Sequence, residues 1–436
     1  MMTLMLLVVV GLGCYTSTPL DPTGVSSVTD PTGTRAADEF VDAIGVVTHL
    51  RYGGLWTEEF ETLIVPRIKA LGVRHLRDGG IVKDDSGWMD QVYTRFRTIA
   101  SETGADFTLI VWPHFDRPNH INASHVEKLV GRVGLENVAA LEGLNEYDTM
   151  ADVFGGSSLV WDDQVKDYQR ALFEEVRTLR YDIPVIGPSI AHPTNASRVG
   201  DLTEYMDLGN IHSYPGGQSP LTRLMSVISG MRVINGTKPV VATETGYHTA
   251  TASNDIQHSY VSEEAQAKYT LRLLFEYFKA GVVRTFIYQL MDEGTDFGDV
   301  QQHFGLVRYD GSEKPAYKAL RNLISILEDP GPSHTPGGLD YELLGDTTGV
   351  HQALLQKRDG RFYLVLWQET SSFDSESHQD IRVDSRRITL SLTQPFRRLV
   401  LYQPVLSSQP LTETTNSSQA VVDVPDHPLI IELALQ

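Results

Sequence analysis

The sequence predicts an α/β protein in which a (β/α)8 TIM barrel is followed by a small C-terminal antiparallel β-sandwich. Three observations predict this fold class: short apolar segments alternate with segments of helical periodicity, eight such strands can be counted, and strand-like segments predominate after a Pro/Gly-rich stretch. Alternating strands and helices are typical of a parallel sheet, and eight units over roughly 290 residues match a closed barrel. A doubly wound open sheet would show a similar rhythm, but the strand count favours the barrel, and no glycine-rich phosphate loop follows the first strand.

Each predicted barrel strand is short, rich in β-branched or aromatic residues, and bounded by Gly, Pro, Asn or Asp. The eight segments are AIGVVTHL, VRHLRDG, DFTLIVWP, NVAALEGLNE, IPVIGPS, LGNIHSY, KPVVATETG and VRTFIYQL. Segments between them, such as DDQVKDYQRALFEEVRTLR, place apolar residues three and four positions apart, as amphipathic helices do. We therefore place the barrel at residues 39–328.

The last hundred residues have a different pattern. A Pro/Gly stretch at residues 329–338 is predicted to be a linker. Strand-like segments follow it: GVHQALLQK, RFYLVLWQE, RRITLSLT, FRRLVLYQP, AVVDVP and LIIELAL. This succession predicts the small antiparallel β-sandwich, at residues 339–436.

The N-terminal segment resembles a bacterial lipoprotein signal. The apolar run LMLLVVVGLG is too short to span a bilayer and ends just before Cys14, which is the single cysteine of the chain. We interpret residues 1–14 as a signal peptide and residues 15–38, rich in Ser, Thr, Pro and Gly, as a flexible linker. We expect export, either to the cell envelope with a membrane tether through lipidated Cys14 or, if the signal is a plain secretory one, as a secreted protein; a misassigned start codon also fits these residues.

The net charge of the chain limits the classes of molecule that it is expected to bind. Lys and Arg number 36 against 56 Asp and Glu, so the 436-residue chain has a net charge of −20. A strong negative field repels phosphate backbones, so we expect no nucleic-acid partner. The fitting partners are neutral or cationic, and an uncharged oligo- or polysaccharide is one of them.

Two carboxylates lie at the C-terminal ends of predicted strands. Glu146 closes the fourth strand in LEGLNEYD, and Glu244 closes the seventh in VVATETGYHT. In this type of barrel the chemistry lies at that end, because the βα loops form an open bowl there. Strands four and seven face each other across the bowl. Carboxylates about 5 to 5.5 Å apart would let one protonate a glycosidic oxygen while the other attacks the anomeric carbon.

These motifs resemble glycoside hydrolase clan A. The resemblance covers about residues 44 to 326 and includes LEGLNEYD, GNIHSYPGG, ATETGYHT and HFGLVRYDGSEKPAYKAL. A barrel followed by a β-sandwich is most similar to family 39, with families 5, 30 and 51 as neighbours. The resemblance implies a glycosidase that retains anomeric configuration through a two-step covalent mechanism on a β-linked glycan.

The resemblance also implies roles for single residues. Glu146 matches the acid/base and Glu244 the nucleophile. Asn145 matches the residue whose amide holds the sugar 2-hydroxyl. Arg77 matches the arginine that keeps the nucleophile ionised, although an ion pair with Asp78 is an alternative for this arginine. The tyrosine that orients the nucleophile corresponds to Tyr214 in the LGNIHSY segment.

Further residues are predicted to line the sugar site. They are His49 and His212 at strand ends, Trp112 as an aromatic platform with Trp56 and Trp161 as further candidates, and Tyr288, Gln289 or Asp292. The last three stand on strand eight, which reads FIYQLMDEG where many clan members carry a platform tryptophan. No HxH or HExxH spacing accompanies the histidines, and clan A chemistry needs no metal, so we predict neither metal nor cofactor.

Two other functions fit the same residues. A catalytically silent barrel could bind glycan without cleaving it, and a transglycosylase would use the same two glutamates to pass the sugar to another glycan. The transferase differs from the hydrolase in water access and acceptor binding.

Overall fold

The computed structural model describes residues 33–82, 86–112, 123–154, 159–255 and 258–436. All eight predicted barrel strands are present. Numbering begins with a short N-terminal strand, β1 (Arg35–Ala36), and the barrel strands are β2 (Ile44–Val47), β3 (His75–Gly80), β4 (Asp106–Val111), β5 (Val138–Glu142), β6 (Val185–Ile186), β7 (Gly209–His212), β8 (Val240–Thr245) and β9 (Val282–Ile287). They pair in parallel in the order β6-β5-β4-β3-β2-β9-β8-β7, and a bridge from Ile186 to Leu208 joins the two edges. The (β/α)8 prediction is therefore confirmed.

Helices alternate with these strands along the chain. The α-helices are α1 (Ala37–Asp42), α2 (Leu55–Glu58), α3 (Val65–Leu71), α4 (Ser86–Thr103), α5 (Ala123–Val133), α6 (Tyr147–Met150), α7 (Trp161–Thr178), α8 (Ala196–Val199), α9 (Leu221–Asn235), α10 (Glu263–Lys279) and α11 (Pro315–Leu327). Helix α10 begins at Glu263 because the Ser262 side chain accepts from the Ala265 amide at 3.0 Å and caps the first turn. None of the helices in the described ranges has the length and apolar character that a membrane span requires.

The floor of the barrel is closed by apolar side chains. Its inner cluster consists of Val47, Ala140, Ile186, Val241 and Phe286. Gly45 lies so close to Phe286 that an added Cβ would be 2.4 Å from the ring. Since this layer fills the interior, a ligand can approach the polar residues above it from the C-terminal ends of the strands.

The C-terminal region forms an antiparallel sheet, as predicted. Its strands are β10 (Tyr341–Gly345), β11 (Val350–Gln356), β12 (Phe362–Gln368), β15 (Arg386–Tyr402), β16 (Thr412–Val424) and β17 (Leu429–Leu435), and β13 (Phe373–Asp374) with β14 (Gln379–Asp380) forms a separate ribbon. Two predicted strands, RRITLSLT and FRRLVLYQP, merge into the single β15. Strand β15 is irregular between Ser391 and Phe396: its first half pairs with β10 and its second half with β17. Side chains of both halves share one core with β11, β12 and β17, so the sheet folds over itself as a sandwich does.

The N-terminal boundary differs from the predicted one. Residues 35–38, which the sequence analysis assigned to the linker, lie in β1 and α1. Strand β1 pairs in parallel with β11, aligning Arg35 with Leu355, and Ala37 at the start of α1 is fully buried. The predicted signal peptide and Cys14 lie outside the described residues, so their interpretation stays a prediction.

The sheet packs on the outer helices of the barrel. Trp367 of β12 stacks on Phe275 of α10 with ring centroids 5.4 Å apart, and its indole nitrogen donates to Glu276 at 2.9 Å. Arg272, also on α10, pairs with Glu369 at 2.8 Å. These contacts form one continuous core across the two regions.

Candidate active site

The two predicted catalytic glutamates meet in the barrel mouth. Glu146 directly follows the loop after β5, and Glu244 lies near the end of β8. One carboxylate oxygen of each glutamate and a ring nitrogen of His212 all lie within 4.8 Å of one another. These residues follow separate strands that were predicted to face each other, and barrel closure brings them together.

Glu244 is held as an anion. Arg77 donates to one of its oxygens at 2.5 Å, and the Tyr214 hydroxyl donates to the other at 2.8 Å. Burial would raise the pKa of this carboxyl group, but the charges of His212 and Arg77, with the hydrogen bonds from Arg77 and Tyr214, lower it below its ordinary value. The side chain is therefore a carboxylate with two fixed donors and a 12% exposed surface.

Arg77 owes its position to Glu142, a residue that the sequence analysis missed. The guanidinium binds the Glu142 carboxylate in a bidentate manner, at 2.6 Å and 2.8 Å. The alternative partner, Asp78, instead accepts hydrogen bonds from Thr48 and from the Leu50 amide, both at 2.8 Å. The available signal was strand alternation: Glu142 lies two residues after the inward-facing Ala140, and a carboxylate inside a barrel requires a cationic partner.

Asn145 is fixed by the same arginine. Arg77 donates to the Asn145 side-chain oxygen at 2.6 Å, and Ser189 donates to that oxygen at 3.3 Å. The amide oxygen is thus engaged. Within the described part of the chain, the amide nitrogen makes no hydrogen bond that competes with a ligand hydroxyl.

Glu146 has an unusual backbone conformation. Its φ of 44° lies in the left-handed region, and its amide donates to both the carbonyl and the hydroxyl of Ser189 at 3.1 Å. These bonds fix the residue just after the loop that follows β5. Its carboxylate, with 27% of the side chain exposed, reaches His212 Nδ1 at 2.7 Å.

The hydrogen bonds beneath His212 determine which ring nitrogen carries a proton. The Thr243 hydroxyl lies 2.9 Å from His212 Nε2. The hydroxyl proton of Thr243 already has two acceptors, the Asn210 side-chain oxygen at 2.7 Å and a Glu142 oxygen at 3.1 Å. Thr243 therefore acts as an acceptor toward His212, and Nε2 carries hydrogen. Nδ1 is left to share a proton with Glu146. The nearby Glu244 and Glu146 charges raise the pKa of His212 although burial alone would lower it.

The structure brings His49, Tyr288 and Gln289 to the same mouth. His49 contacts Tyr288 edge to face at 5.7 Å between centroids, and burial together with the Arg51 charge lowers its pKa to about 3. Gln289 is fully buried between His49 and Glu293. Glu293 was not predicted from the sequence, and burial raises its pKa to about 7.

The three tryptophans predicted as sugar platforms are too buried to stack on a sugar. Trp56, Trp112 and Trp161 are 3%, 4% and 2% exposed. Trp56 contacts His49 edge to face, and Trp161 packs beneath Arg198. The more exposed aromatic ring in this region is Tyr52, which is 39% exposed and stacks on His49. Asp292 faces inward and pairs with buried Lys314 at 2.9 Å.

The cluster of Glu146, His212 and Glu244 has metal-ligating side chains, as does Glu276 with His351 and Glu369. In the first cluster a guanidinium nitrogen lies 2.5 Å from Glu244 and supplies the positive charge. The arrangement therefore suits an ion pair between Arg77 and the Glu244 carboxylate.

No known family model matches the chain, and no curated protein sequence is similar to it. Solved structures do share its fold. A family 39 glycoside hydrolase from Bacteroides cellulosilyticus matches with a TM-score of 0.59 and 15% identity, over 92% of this chain and 82% of the other. A glucosidase from Croceicoccus marinus matches with a TM-score of 0.61 and 14% identity, over 93% and 97%. A family 51 α-L-arabinofuranosidase from Thermotoga petrophila matches with a TM-score of 0.58 and 14% identity, over 92% and 97%. The fold expected from the resemblance to these families is therefore confirmed.

Proposed function

We propose that this protein is a retaining glycoside hydrolase that cleaves a β-linked glycan, with Glu146 as acid/base and Glu244 as nucleophile. One observation carries the proposal: carboxylate oxygens of the two residues lie within 4.8 Å of each other in the barrel mouth. This separation suits direct attack on the sugar, whereas inverting enzymes leave roughly 6.5 to 9.5 Å for a water molecule.

In the first step the Glu244 carboxylate attacks the anomeric carbon while protonated Glu146 donates its proton to the departing glycosidic oxygen. The bond to the leaving group breaks and a glycosyl ester forms on Glu244. In the second step Glu146, now ionised, takes a proton from water, and the resulting oxygen nucleophile releases the sugar from Glu244. Anomeric configuration is retained because the carbon is inverted twice.

His212 fits both steps. Because Nε2 keeps its hydrogen toward Thr243, the neutral ring can accept the proton of Glu146 at Nδ1, and the protonated ring can donate to ionised Glu146. The pair thus accommodates either protonation state of the acid/base. The amide nitrogen of Asn145, whose side-chain oxygen is held by Arg77, makes no hydrogen bond to the described residues and would bind the sugar 2-hydroxyl.

Covalent trapping tests the proposal. Purified protein is incubated with activated 2-deoxy-2-fluoro sugars that cover neutral and acidic configurations, and intact mass and peptide mapping follow. We expect one sugar-sized mass increase on the peptide that contains Glu244. Glu244→Gln should prevent labelling, whereas Glu264→Gln, which changes an exposed carboxylate on α10, should label as the unmodified protein does.

Azide rescue tests the role of Glu146 separately. Glu146→Ala should lower turnover about 10²- to 10⁴-fold, and azide should restore it with a β-glycosyl azide as product. A glycan that binds tightly and survives prolonged incubation, without label on Glu244, would favour the silent glycan-binding barrel. Transfer to an added acceptor glycan in preference to water would favour the transglycosylase.

A further inference from the structure

Arg51 is a cation in the barrel mouth to which the mechanism assigns no role. It lies in the loop after β2, two residues beyond His49, and is partly exposed. Its guanidinium carbon lies 5.6 Å from the centre of the Trp112 ring and 5.5 Å from that of Tyr52. Aromatic rings on two sides thus position the charged group.

The position of Arg51 in the mouth follows from Gly79. Gly79 lies two residues beyond Arg77 on β3, so both positions face the barrel interior. A Cβ added at Gly79 would be 3.1 Å from the Arg51 guanidinium carbon and 2.7 Å from the Trp112 indole nitrogen. Arg51 and Trp112 therefore meet directly above the layer in which Arg77 binds Glu244.

Within the described ranges, Arg51 forms no ion pair with a carboxylate. Asp78 is close enough to be affected by its charge, but the Asp78 oxygens accept from Thr48, Leu50 and Gly79 instead. The Nε atom of Arg51 is buried and has no hydrogen-bond partner among the residues that the structure describes. A partly desolvated guanidinium without a carboxylate partner provides a binding site for an anion.

We propose that Arg51, flanked by Tyr52 and Trp112, binds the carboxylate of a uronic acid residue, so that the substrate is an acidic glycan. This inference rests on the proposed function, which it deepens by naming a substrate class. The planar guanidinium fork matches a carboxylate in a bidentate manner. The overall negative charge does not prevent such a contact, because exposed charges are screened beyond about 8 Å at physiological salt.

The expectation from composition was a neutral or cationic partner, and an uncharged polysaccharide was one example. Net charge is a property of the whole chain, whereas recognition depends on the charges that contact the ligand. In this mouth the cation nearest to solvent among the residues discussed is Arg51, since Arg77 is 1% exposed and engaged by Glu142 and Glu244.

Binding of matched sugars tests the inference without relying on turnover. The probes are aryl β-glycosides of mono- and disaccharides that differ at C6 alone, as hydroxymethyl, carboxylate or sulfate ester. Their dissociation constants are measured by calorimetry in the Glu244→Gln protein, which cannot form the glycosyl ester. We expect the carboxylate member of at least one set to bind about tenfold tighter or more than its hydroxymethyl counterpart.

Substitution of the arginine then identifies the cause. Arg51→Gln in the same background should remove this preference, and Arg51→Lys should restore part of it because the charge remains and the fork is lost. Arg232→Gln is the matched control, because it removes one positive charge as Arg51→Gln does. Arg232 lies on α9 and donates to the carbonyls of Gly236 and Lys238 just beyond that helix. The preference should persist in this variant.

Each contrary outcome has a defined meaning. The inference is wrong if no carboxylate sugar is preferred, or if the preference survives Arg51→Gln. A sulfate ester that binds more tightly than the carboxylate, with the same dependence on Arg51, would replace the uronate with a sulfated sugar. Labelling of Glu244 without a carboxylate preference would support the hydrolase and contradict the uronate site. Arg51-dependent uronate binding without labelling of Glu244 would support the uronate site and contradict the hydrolase.

Discussion

The chemistry of Glu244 depends on side chains from other strands. Arg77 and Tyr214 donate to its two oxygens, and Glu142 in turn holds Arg77. A glutamate at this strand end without these donors would be a buried carboxyl with a raised pKa. The network therefore supports the proposal that this carboxylate is the nucleophile and that Glu146, paired with a histidine, is the acid/base.

Removing one donor should change the pH dependence of the reaction. The pKa of Glu244 is below its ordinary value because His212, Arg77 and Tyr214 outweigh burial. The proposed nucleophile must be ionised to attack the sugar, so we expect activity to be lost as pH falls through this pKa. Tyr214→Phe removes one of the lowering contacts, so the acidic limb of the kcat/KM profile should move to higher pH, and kcat/KM should fall about tenfold.

Tyr309→Phe is the control for this measurement, because Tyr309 is 38% exposed and lies outside the site. Its profile should coincide with that of the unmodified protein. An acidic limb that stays in place in Tyr214→Phe would show that Tyr214 does not stabilise ionised Glu244.

At the level of secondary-structure elements, the hydrophobic pattern of the sequence predicted the strands that consist mainly of apolar residues. All eight barrel strands were predicted because each is a compact apolar run bounded by turn residues. Strand β10 was missed because most of its residues are exposed or half-buried, and β1 because it has two residues. The break predicted between RRITLSLT and FRRLVLYQP is absent because pairing with β16 continues on both sides of Pro395.

Strand β1 leads to a prediction about truncation. Removing residues 1–38 deletes the pairing of β1 with β11, buried Ala37, and Asp38, which binds Arg74 at 2.6 Å and 2.9 Å. We expect this truncation to lower the free energy of unfolding by at least about 2 kcal/mol relative to one that removes residues 1–32. Urea unfolding of the two proteins provides the comparison, and equal midpoints would show that β1 contributes nothing to stability.

At the level of the whole molecule, the barrel and the C-terminal sheet share one core. Trp367 is fully buried, stacks on Phe275, and donates to Glu276, so β12 is joined to α10 by both apolar and polar contacts. Contacts of this type between two regions favour unfolding as one unit. The sheet therefore supports the barrel wall that carries β8 and β9.

Trp367→Ala should destabilise both regions together. Loss of a large buried aromatic costs about 3 to 5 kcal/mol, and it leaves the Glu276 carboxylate without one donor. Thermal unfolding should give a lower Tm with coincident fluorescence and circular dichroism transitions. Leu406→Ala, at a position that is 65% exposed, should stay within about 0.5 kcal/mol. Two separate transitions in the unmodified protein would contradict the shared core.

The sequence by itself determined the barrel, the strand-rich C-terminal region and the positions of Glu146 and Glu244, because periodicity and strand ends are local properties of the chain. The tertiary structure decided which side chains act together. Arg77 meets Glu142 and Glu244 across 65 and 167 residues, and His212 meets Glu146 across 66. Arg51, Gly79 and Trp112 likewise belong to or follow β2, β3 and β4, and they meet only because these strands lie side by side. Such partnerships depend on barrel closure, which brings distant residues within hydrogen-bonding distance, and no local pattern encodes that distance.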